Sequence, residues 1–272
     1  MDPIKFRLKI YIIVFFVTMT VGTFGFMIIE DLSPADAIYF SIVTIATVGY
    51  GDIHPSTQIG KILAMLLIIM GVSTFLGVVA NTTEIMLNKN EKQTILKKLN
   101  MVIGVFFSEV GTKLLILFSD LDRDINNVRE YLMIKNNWNK KDFLQVGILL
   151  KNHKYDIEVK KVDFDELHSF LLKKRIFLVS LLENPILHED QYFTEVLRAV
   201  FHLTEELDWR KDFSLLPDAD KAHLKVDIIR AYKLLADQWL SYMRYLKGHY
   251  PYLFSLAMRT NPFNKEIDPV VT

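Results

Sequence analysis

The chain has 272 residues, which is enough for two domains of ordinary size, and 51% of those residues are apolar. Its 32 basic and 32 acidic residues give a formal net charge of zero, so composition gives no argument for nucleic-acid binding. Cysteine is absent, which excludes disulfides, thiol catalysis and cysteine-ligated zinc. Residues 1–87 have the composition of lipid-soluble protein, whereas residues 88–272 have that of a soluble domain.

Two uncharged runs are long enough to cross a bilayer. Residues 10–29 span about 30 Å as a helix, which is the thickness of the hydrocarbon core. Residues 62–83 form a second run, and we predict that its helix extends to residue 87. Two buried helices of a soluble core are the alternative, but uncharged runs of this length favour membrane helices.

The charges that flank the two runs predict their orientation. Lysine and arginine precede the first run and lysines follow the second, whereas the connecting loop carries four acidic residues before Lys61. Flanking segments that carry an excess of lysine and arginine stay in the cytoplasm. We therefore predict a multi-pass protein of the cell membrane with both termini in the cytoplasm.

The loop between the runs contains an apolar segment that is too short to span a membrane. Residues 37–46 are uncharged, and Ser33-Pro34 before them is a typical helix start. A short apolar helix between two spans indicates a re-entrant helix buried in protein, which we place at residues 35–46. Non-helical backbone at membrane depth persists only where protein buries it or where it lines a watery cavity, and residues 47–52 come next.

Residues 47–52 have the sequence TVGYGD, in which two glycines occupy alternate positions. A desolvated cation needs oxygen dipoles in place of its water, and a backbone whose carbonyls all point one way supplies them. Gly49 and Gly51 are placed to adopt the positive φ that such a backbone requires. Val48 and Tyr50 would then point away from the axis and hold the loop open by packing. One chain forms only one wall, so four copies are needed to surround the ion.

This order of span, short helix, glycine loop and span resembles the pore-loop superfamily of potassium channels, and within it the two-transmembrane type. The resemblance covers about residues 10–87, and TVGYGD is among the more specific short motifs. It implies a homotetramer in the lipid bilayer, with K⁺ as the permeant ion and no other cofactor. It also implies K⁺ sites formed by the Thr47 hydroxyl and by a set of backbone carbonyls. These carbonyls belong to Thr47, Val48, Gly49 and Tyr50, and Gly51 and Asp52 complete the selectivity filter.

Three positions behind the filter depart from common patterns of the family. Many relatives have a tryptophan pair where this chain has Tyr39-Phe40, and one of those tryptophans steadies the filter aspartate. Phe40 has no hydrogen-bond donor, so only the Tyr39 hydroxyl can reach Asp52. Some bacterial relatives have a glutamate at the position of Val43, so inactivation that depends on that carboxylate is not expected here.

The second span contains two glycines with different predicted roles. By resemblance, Gly71 lies where an inner-helix glycine lets the helix bend and open the pore, and close packing in lipid is the alternative. For Gly77 we favour close packing. Val79 and Thr83 lie near the cytoplasmic end, where an apolar constriction can close a pore by expelling water. Neither span carries repeated arginines, so no voltage sensor is predicted.

The rest of the chain, residues 88–272, is predicted to be an all-helical cytoplasmic domain, which makes the fold class all-α. After a short break near residues 88–90, apolar residues recur at helical spacing in six segments. These segments are residues 99–110, 121–132, 140–150, 165–183, 188–207 and 218–247. Residues 155–162 alternate weakly and are a strand candidate. No glycine-rich nucleotide turn or strand-rich sandwich is visible, so we assign the domain to regulation or assembly.

Two patterns in this domain invite a binding interpretation. Residues 120–124 begin like a calcium loop but lack its later glycine and glutamate, so a solvated helix start is favoured. Aromatic residues are dense in residues 232–263, where they either line a ligand pocket or, as we favour, fill a core. An unidentified cytoplasmic ligand is therefore left open.

A third pattern combines histidine with carboxylates. Glu195 and His202 share a helix face with Glu205 and Glu206 close by, which suits a divalent metal. Such combinations are common on charged helices, so a salt-bridging surface is the favoured interpretation.

From the resemblance we expect a potassium-selective channel subunit that is not an enzyme and conducts K⁺ passively. Gating is expected by inner-helix bending under control of the cytoplasmic domain. One alternative is a membrane-anchored ligand-binding or enzymatic helical domain with a vestigial pore, although no nucleophile–base pair or phosphate loop supports it. The other is a non-selective cation channel.

Overall fold

The computed structural model describes residues 3–266, and these residues contain no β-strand, so the predicted all-α class is confirmed. The chain divides into two compact units that meet between Thr94 and Ile95. The predicted domain boundary between residues 87 and 88 stays a prediction. Residues 267–272, the end of the predicted cytoplasmic domain, lie outside the described part of the chain.

The first unit contains two long apolar helices with a short one between them. By length and composition, α1 and the helical segment that begins with α3 can each cross a membrane. They include the predicted spans 10–29 and 62–87, and α2 begins and ends one residue earlier than the predicted helix 35–46. The bounds are α1, Pro3–Ile29; α2, Pro34–Ile45; and α3, Gln58–Phe106.

The predicted break near residues 88–90 is wrong, because α3 continues through these residues without interruption. Polar residues there indicate where a chain leaves lipid, but polarity alone does not end a helix. Neither glycine nor proline occurs between Gly77 and Gly104, so nothing in the local sequence interrupts the helical backbone.

Glycines on α1 allow α3 to approach closely. A β-carbon at Gly22 would lie 2.7 Å from Leu67 Cδ1, and one at Gly25 would lie 2.5 Å from Leu63 Cδ2. Small residues serve this purpose in membrane helices, because close backbones gain van der Waals contact where lipid offers no hydrophobic driving force. The α2 helix joins this packing through a small buried cluster. Its members are Phe26, Ala37, Phe40, Ile45, Ala64 and Leu67.

Side-chain hydrogen bonds fix the start of α2 and the start of α3, the two helices on either side of the loop that carries residues 47–52. The Ser33 hydroxyl accepts a hydrogen bond from the Asp36 amide at 3.2 Å, and Pro34 occupies the first turn of α2. Before α3, the Glu30 carboxylate accepts hydrogen bonds from the amides and hydroxyls of Ser56 and Thr57, at 2.5 to 3.1 Å. These bonds stabilise the ionised form and lower the pKa of Glu30 from 4.5 to about 2.

In the second unit, a π-helical turn at Phe107–Gly111 connects the end of α3 to further helices. The helices are α4, Thr112–Leu121; α5, Asn126–Arg129; α6, Lys140–Asn152; α7, Phe164–Leu182; α8, Gln191–Asp208; α9, Asp218–His249; and α10, Pro251–Arg259. Short 3₁₀ turns occur at Glu130–Leu132, Val159–Lys161 and Pro185–Glu189.

Four of the predicted helices, residues 140–150, 165–183, 188–207 and 218–247, correspond to α6, α7, α8 and α9. Most of the predicted α9 stripe is buried, with Leu224, Ile228 and Leu235 at 0% exposure. Helix α8 packs on both α7 and α9, and α4, α6 and α10 also contact α9. The long amphipathic stripe of α9 therefore organises the second unit around itself.

Two predictions for this unit are wrong. A continuous helix over 121–132 does not form, because the chain turns to an extended conformation at Asp122, which is buried. Residues 155–162 form no strand, but a single antiparallel bridge between Asp122 and Ile157, followed by a 3₁₀ turn. Helix α10 was not predicted, since Pro251, which occupies its first turn, also suits a loop.

Candidate functional site

The backbone of the TVGYGD loop leaves the usual conformational regions at alternate residues. Gly49 and Gly51 have φ angles of +55° and +77°, as their placement in the sequence predicts. Thr47 also has a positive φ, +61°, which its residue type does not predict. A β-branched residue rarely adopts this conformation, and such strain concentrates at functional sites.

The amides at the start of the loop are directed to the end of α2. The Thr47 amide donates to the Thr44 carbonyl at 3.1 Å, and the amides of Val48 and Gly49 both donate to the Val43 carbonyl, at 3.0 and 3.3 Å. Val43 therefore contributes through its backbone, a role that its side chain could not reveal. The loop directly follows the C-terminal end of a helix, where the partial negative charge favours a cation.

The carbonyls of this loop have no partners within the described residues. No hydrogen bond in residues 3–266 ends on the carbonyl of Thr47, Val48, Gly49 or Tyr50. Backbone carbonyls at membrane depth need a partner, because an unsatisfied polar group there costs several kcal/mol. A dehydrated cation is one chemical species that can satisfy four successive carbonyls at once.

The outer end of the loop is held by the side chain expected from the sequence. The Tyr39 hydroxyl donates to the Asp52 carboxylate at 2.8 Å. Phe40 points elsewhere: it is 8% exposed and packs edge-to-face on Phe26, with 4.7 Å between ring centroids. Phe40 thus positions α2 against α1 and has no direct contact with Asp52.

Val48 and Tyr50 are exposed in the single chain, at 51% and 73%. The sequence predicts that the side chains of Val48 and Tyr50 pack against other groups and hold the loop open. Among the described residues of one chain, no group covers them in this way. Large apolar side chains at this position indicate a surface that other molecules bury.

Both glycines of the second span lie against bulky side chains. A β-carbon at Gly71 would lie 2.6 Å from Ile45 Cγ1, and one at Gly77 would lie 2.6 Å from Tyr11 Cδ1. The close packing favoured for Gly77 is thus present, and Gly71 has it too.

Thr74 adds a feature that the sequence analysis missed: its buried hydroxyl donates to the carbonyls of Met70 and Gly71, at 2.8 and 3.0 Å. Such bonds to the backbone of the preceding turn often bend helices.

Near the end of the second span, Val79 and Thr83 lie on an exposed face of α3, and the Thr83 hydroxyl donates to the Val79 carbonyl at 3.0 Å. Asn81 lies on another face, 8% exposed, with its amide donating to the Gly77 carbonyl at 2.7 Å. Val79 and Thr83 are therefore available to line a pore or to contact another subunit, whereas Asn81 faces the interior of its own unit.

The calcium-like segment 120–124 is not a helix start, and its central residue, Asp122, forms a buried link. Asp122 is 4% exposed, and its carboxylate lies 2.7 Å from His153 Nε2. Its other oxygen accepts hydrogen bonds from the amides of Asp124 and Asp156. With its oxygens engaged in this way, Asp122 joins the end of α4 to the segment after α6.

The aromatic residues of 232–263 mostly fill the core, as favoured. Trp239, Phe254 and Phe263 are between 0 and 3% exposed, and Trp239 packs on Phe263 with 5.0 Å between ring centroids. Tyr242 and Tyr245 differ, because they also line an open groove beside α3.

The residues of the histidine–carboxylate pattern have different partners in the structure from those that the sequence suggests. Glu195 does not pair with His202; it forms an ion pair with Arg198 at 3.0 Å. His202 instead faces Glu206 on its own helix and Asp227 on α9. The sequence could not show that α9 is a neighbour of His202, because it does not specify the path of the loop between α8 and α9.

Comparisons with known proteins match both units. Residues 95–259, more than half of the chain, match the family model described as uncharacterized protein MJ1433, C-terminal helical domain. Residues 13–88 match the family model described as ion channel. Uncharacterized protein MJ1433 of Methanocaldococcus jannaschii is 49% identical over 185 residues, which cover 68% of this chain and 74% of that protein.

Two potassium channels are similar to a shorter stretch of this chain. Two-pore potassium channel 4 of Arabidopsis thaliana is 46% identical over 65 residues, covering 24% of this chain and 22% of that protein. A voltage-gated potassium channel of Aeropyrum pernix is 35% identical over 74 residues, covering 24% of this chain and 25% of that protein. The chain thus spans about a quarter of the length of these channels. It belongs to the MJ1433 family of helical-domain proteins and is a membrane protein with a potassium-channel-like pore module.

Proposed function

We propose that this chain is one subunit of a homotetrameric, potassium-selective channel that conducts K⁺ passively across the cell membrane. One observation carries the proposal: four successive loop carbonyls have no hydrogen-bond partner among the described residues, and left-handed φ angles occur at Gly49 within this run and at Gly51 directly after it. Thr47, Val48, Gly49 and Tyr50 supply these carbonyls, and the Thr47 hydroxyl adds a further oxygen. One chain supplies one wall, so four chains complete the ion site.

The exposed side chains next to the loop support the fourfold arrangement. Val48 and Tyr50 need cover that their own chain does not give, and neighbouring subunits around a common axis supply it. The flanking charges support a multi-pass orientation with both termini in the cytoplasm, since lysine and arginine lie outside the two spans and acidic residues between them.

We further propose that α3 bends to open the pore, under control of the helical second unit. Gly71 lowers the helix propensity there, and the Thr74 hydroxyl competes for the carbonyls of Met70 and Gly71. Closure brings Val79 and Thr83 of four subunits together as a constriction. The second unit is a regulator or an assembly domain and, in this proposal, not an enzyme.

The test is K⁺ flux into liposomes that contain the purified full-length protein, with Na⁺ compared in the same preparation. Gly51→Ala places a β-carbon on a backbone with φ of +77°, which should abolish K⁺ flux or its selectivity. Gly248→Ala is the matched control, because a β-carbon there meets no atom within 4 Å and the residue is helical.

Three results would contradict the proposal in different ways. Equal K⁺ and Na⁺ flux through the native protein would favour a non-selective cation channel. Absence of flux, with a ligand-binding or enzymatic activity in the same protein, would favour a vestigial pore. An unaltered selectivity in Gly51→Ala would remove the filter assignment.

A further inference from the structure

Helices α8 and α9 pack together and present two matching pairs of side chains to each other. His202 and Glu206 are four residues apart on α8, and His223 and Asp227 are four residues apart on α9. Residues at this spacing lie on one face of a helix, one turn apart. Each helix therefore contributes one imidazole and one carboxylate to the same cluster.

The imidazole nitrogens in this cluster lie too far from the carboxylates for good hydrogen bonds. His223 Nε2 is 3.5 Å from Glu206 Oε2 and 3.5 Å from Asp227 Oδ2. His202 Nε2 is 3.7 Å from Asp227 Oδ1 and 3.9 Å from Glu206 Oε1. Hydrogen bonds from nitrogen to oxygen have lengths of about 2.7–3.2 Å, so all four separations exceed that range.

The same separations suit ligands that share one metal ion. Tetrahedral ligands about 2.1 Å from a zinc ion lie roughly 3.4 Å from one another. The two His223 separations of 3.5 Å are close to this edge length. His202 approaches the other oxygen of each carboxylate, Asp227 Oδ1 at 3.7 Å and Glu206 Oε1 at 3.9 Å. Ligand atoms of Glu206, His223 and Asp227 also lie within 4.8 Å of one another.

A second observation points to a cation. The Asp227 side chain is only 3% exposed, and its Oδ2 atom has no hydrogen-bond partner among residues 3–266. An ionised carboxylate that is buried without hydrogen bonds is costly, and metal coordination is one of the ways in which proteins compensate for it. The nearby contact of Arg230 is to the other oxygen, Oδ1, at 3.3 Å.

The surroundings of Glu206 match those of a metal ligand. Arg210 donates to Glu206 Oε2 at 2.9 Å and binds Asp220 through two hydrogen bonds of 2.7 Å. Carboxylate ligands are commonly oriented by such outer hydrogen bonds. Arg210 therefore holds Glu206 in place and leaves Oε1 facing His202.

We propose that His202, Glu206, His223 and Asp227 form a binding site for one divalent transition-metal ion of the zinc type. Imidazole together with carboxylate favours such an ion over Ca²⁺ or Mg²⁺, which take oxygen ligands. A bound ion links α8 to α9 at the edge of the second unit, where both histidines are about half exposed. This site is independent of the pore and does not rest on K⁺ conduction.

The competing explanation is a cluster of ion pairs between protonated histidines and carboxylates. That explanation needs no metal, and it predicts that Zn²⁺ has no effect on the protein. The sequence-based ligand pair of Glu195 with His202 is a further competitor, but Glu195 pairs with Arg198 in the structure. Glu195→Gln is therefore a matched control within α8.

The experiment titrates Zn²⁺ into the full-length protein without a polyhistidine tag and measures binding by calorimetry and the thermal midpoint of unfolding. The variants are His202→Ala, His223→Ala and the control Glu195→Gln, with Mg²⁺ compared at the same concentration. Both histidine side chains are about half exposed, at 45% and 53%, so alanine leaves the core intact. Helix content by circular dichroism verifies that each variant folds.

We expect one Zn²⁺ per chain, a rise in the thermal midpoint with Zn²⁺ but not with Mg²⁺, and at least about 10-fold weaker binding in each histidine variant. Glu195→Gln should bind as the native protein does. The proposal is overturned if the native protein binds no Zn²⁺, or if folded His202→Ala and His223→Ala bind it with native affinity. An equal response to Mg²⁺ would also overturn it, because that ion does not select imidazole.

Discussion

Ile45, the last residue of α2, occupies the space that a side chain at Gly71 of α3 would need. A β-carbon at Gly71 would lie 2.6 Å from Ile45 Cγ1, while Ile45 Cβ would be 3.5 Å away, an ordinary contact. Ile45 is 2% exposed, so it cannot move into solvent. The contact joins the helix that supports the filter to the helix that is proposed to bend.

Gly71→Ala should therefore reduce K⁺ flux and destabilise the proposed tetramer, since overpacking a buried contact costs about 1–3 kcal/mol. The double variant Ile45→Ala/Gly71→Ala distinguishes close packing from a hinge. If packing is the reason for Gly71, removal of Ile45 Cγ1 and Cδ1 restores flux relative to Gly71→Ala. If bending is the reason, the double variant stays as impaired as the single one. Liposome flux and thermal dissociation of the tetramer measure both properties.

The hydrogen bond from Tyr39 to Asp52 predicts a filter that depends on one hydroxyl. Tyr39→Phe removes the 2.8 Å bond and keeps the ring, so K⁺ currents should decline faster during sustained opening. Asp52→Asn should cause a similar defect, and the two changes together should be less than additive because they remove the same bond. Single-channel recording measures the open lifetimes.

Tyr11→Phe is the control for this series. It removes a tyrosine hydroxyl from α1 that has no hydrogen bond among the described residues. Strictly additive effects of Tyr39→Phe and Asp52→Asn would show that the bond does not hold the filter.

Glu30 predicts an acid-sensitive component of stability in the first unit. Its carboxylate has a pKa of about 2, below the ordinary 4.5, because it accepts hydrogen bonds from Thr57 and Ser56. A lowered pKa contributes stability above pH 4.5 that is lost as the pH falls towards 2. Glu30→Gln should lower the thermal midpoint at neutral pH and weaken its decline between these two pH values.

Thermal unfolding in detergent at several pH values measures this difference, with Glu91→Gln as the control. Glu91 is exposed on α3, and its side chain has no hydrogen bond or ion pair among residues 3–266. Equal pH profiles for native protein and Glu30→Gln would contradict a role of this carboxylate in holding the start of α3.

The conformation of the loop at residues 47–52 could be predicted in part from the sequence, because its requirements are local. Positive φ at Gly49 and Gly51 follows from residue type, and the Tyr39 hydrogen bond follows from the lack of another donor nearby. The positive φ of Thr47 could not be predicted, since threonine does not favour that region. It arises where its amide bonds back to the end of α2.

Features of the second unit that depend on distant contacts were missed. The helix predicted over 121–132 fails because Asp122 is drawn to His153, thirty-one positions away. His202 and Glu206 were singled out as candidates, but their partners on α9 were not, because periodicity describes one helix at a time. Residues 140–150 and 218–247 were predicted well, since strong amphipathic periodicity fixes a helix whatever its neighbours.

Substitution in the buried stripe of α9 tests whether the second unit controls the pore. Leu235 is 0% exposed, and Leu235→Ala should lower the free energy of unfolding of this unit by about 2–5 kcal/mol. Leu215 is 78% exposed, so Leu215→Ala should leave that free energy within about 0.5 kcal/mol of the native value. If the second unit regulates α3, only Leu235→Ala should change the open probability in liposome recordings. Identical open probability in both variants, with the loss of stability verified by chemical denaturation, would limit the second unit to assembly.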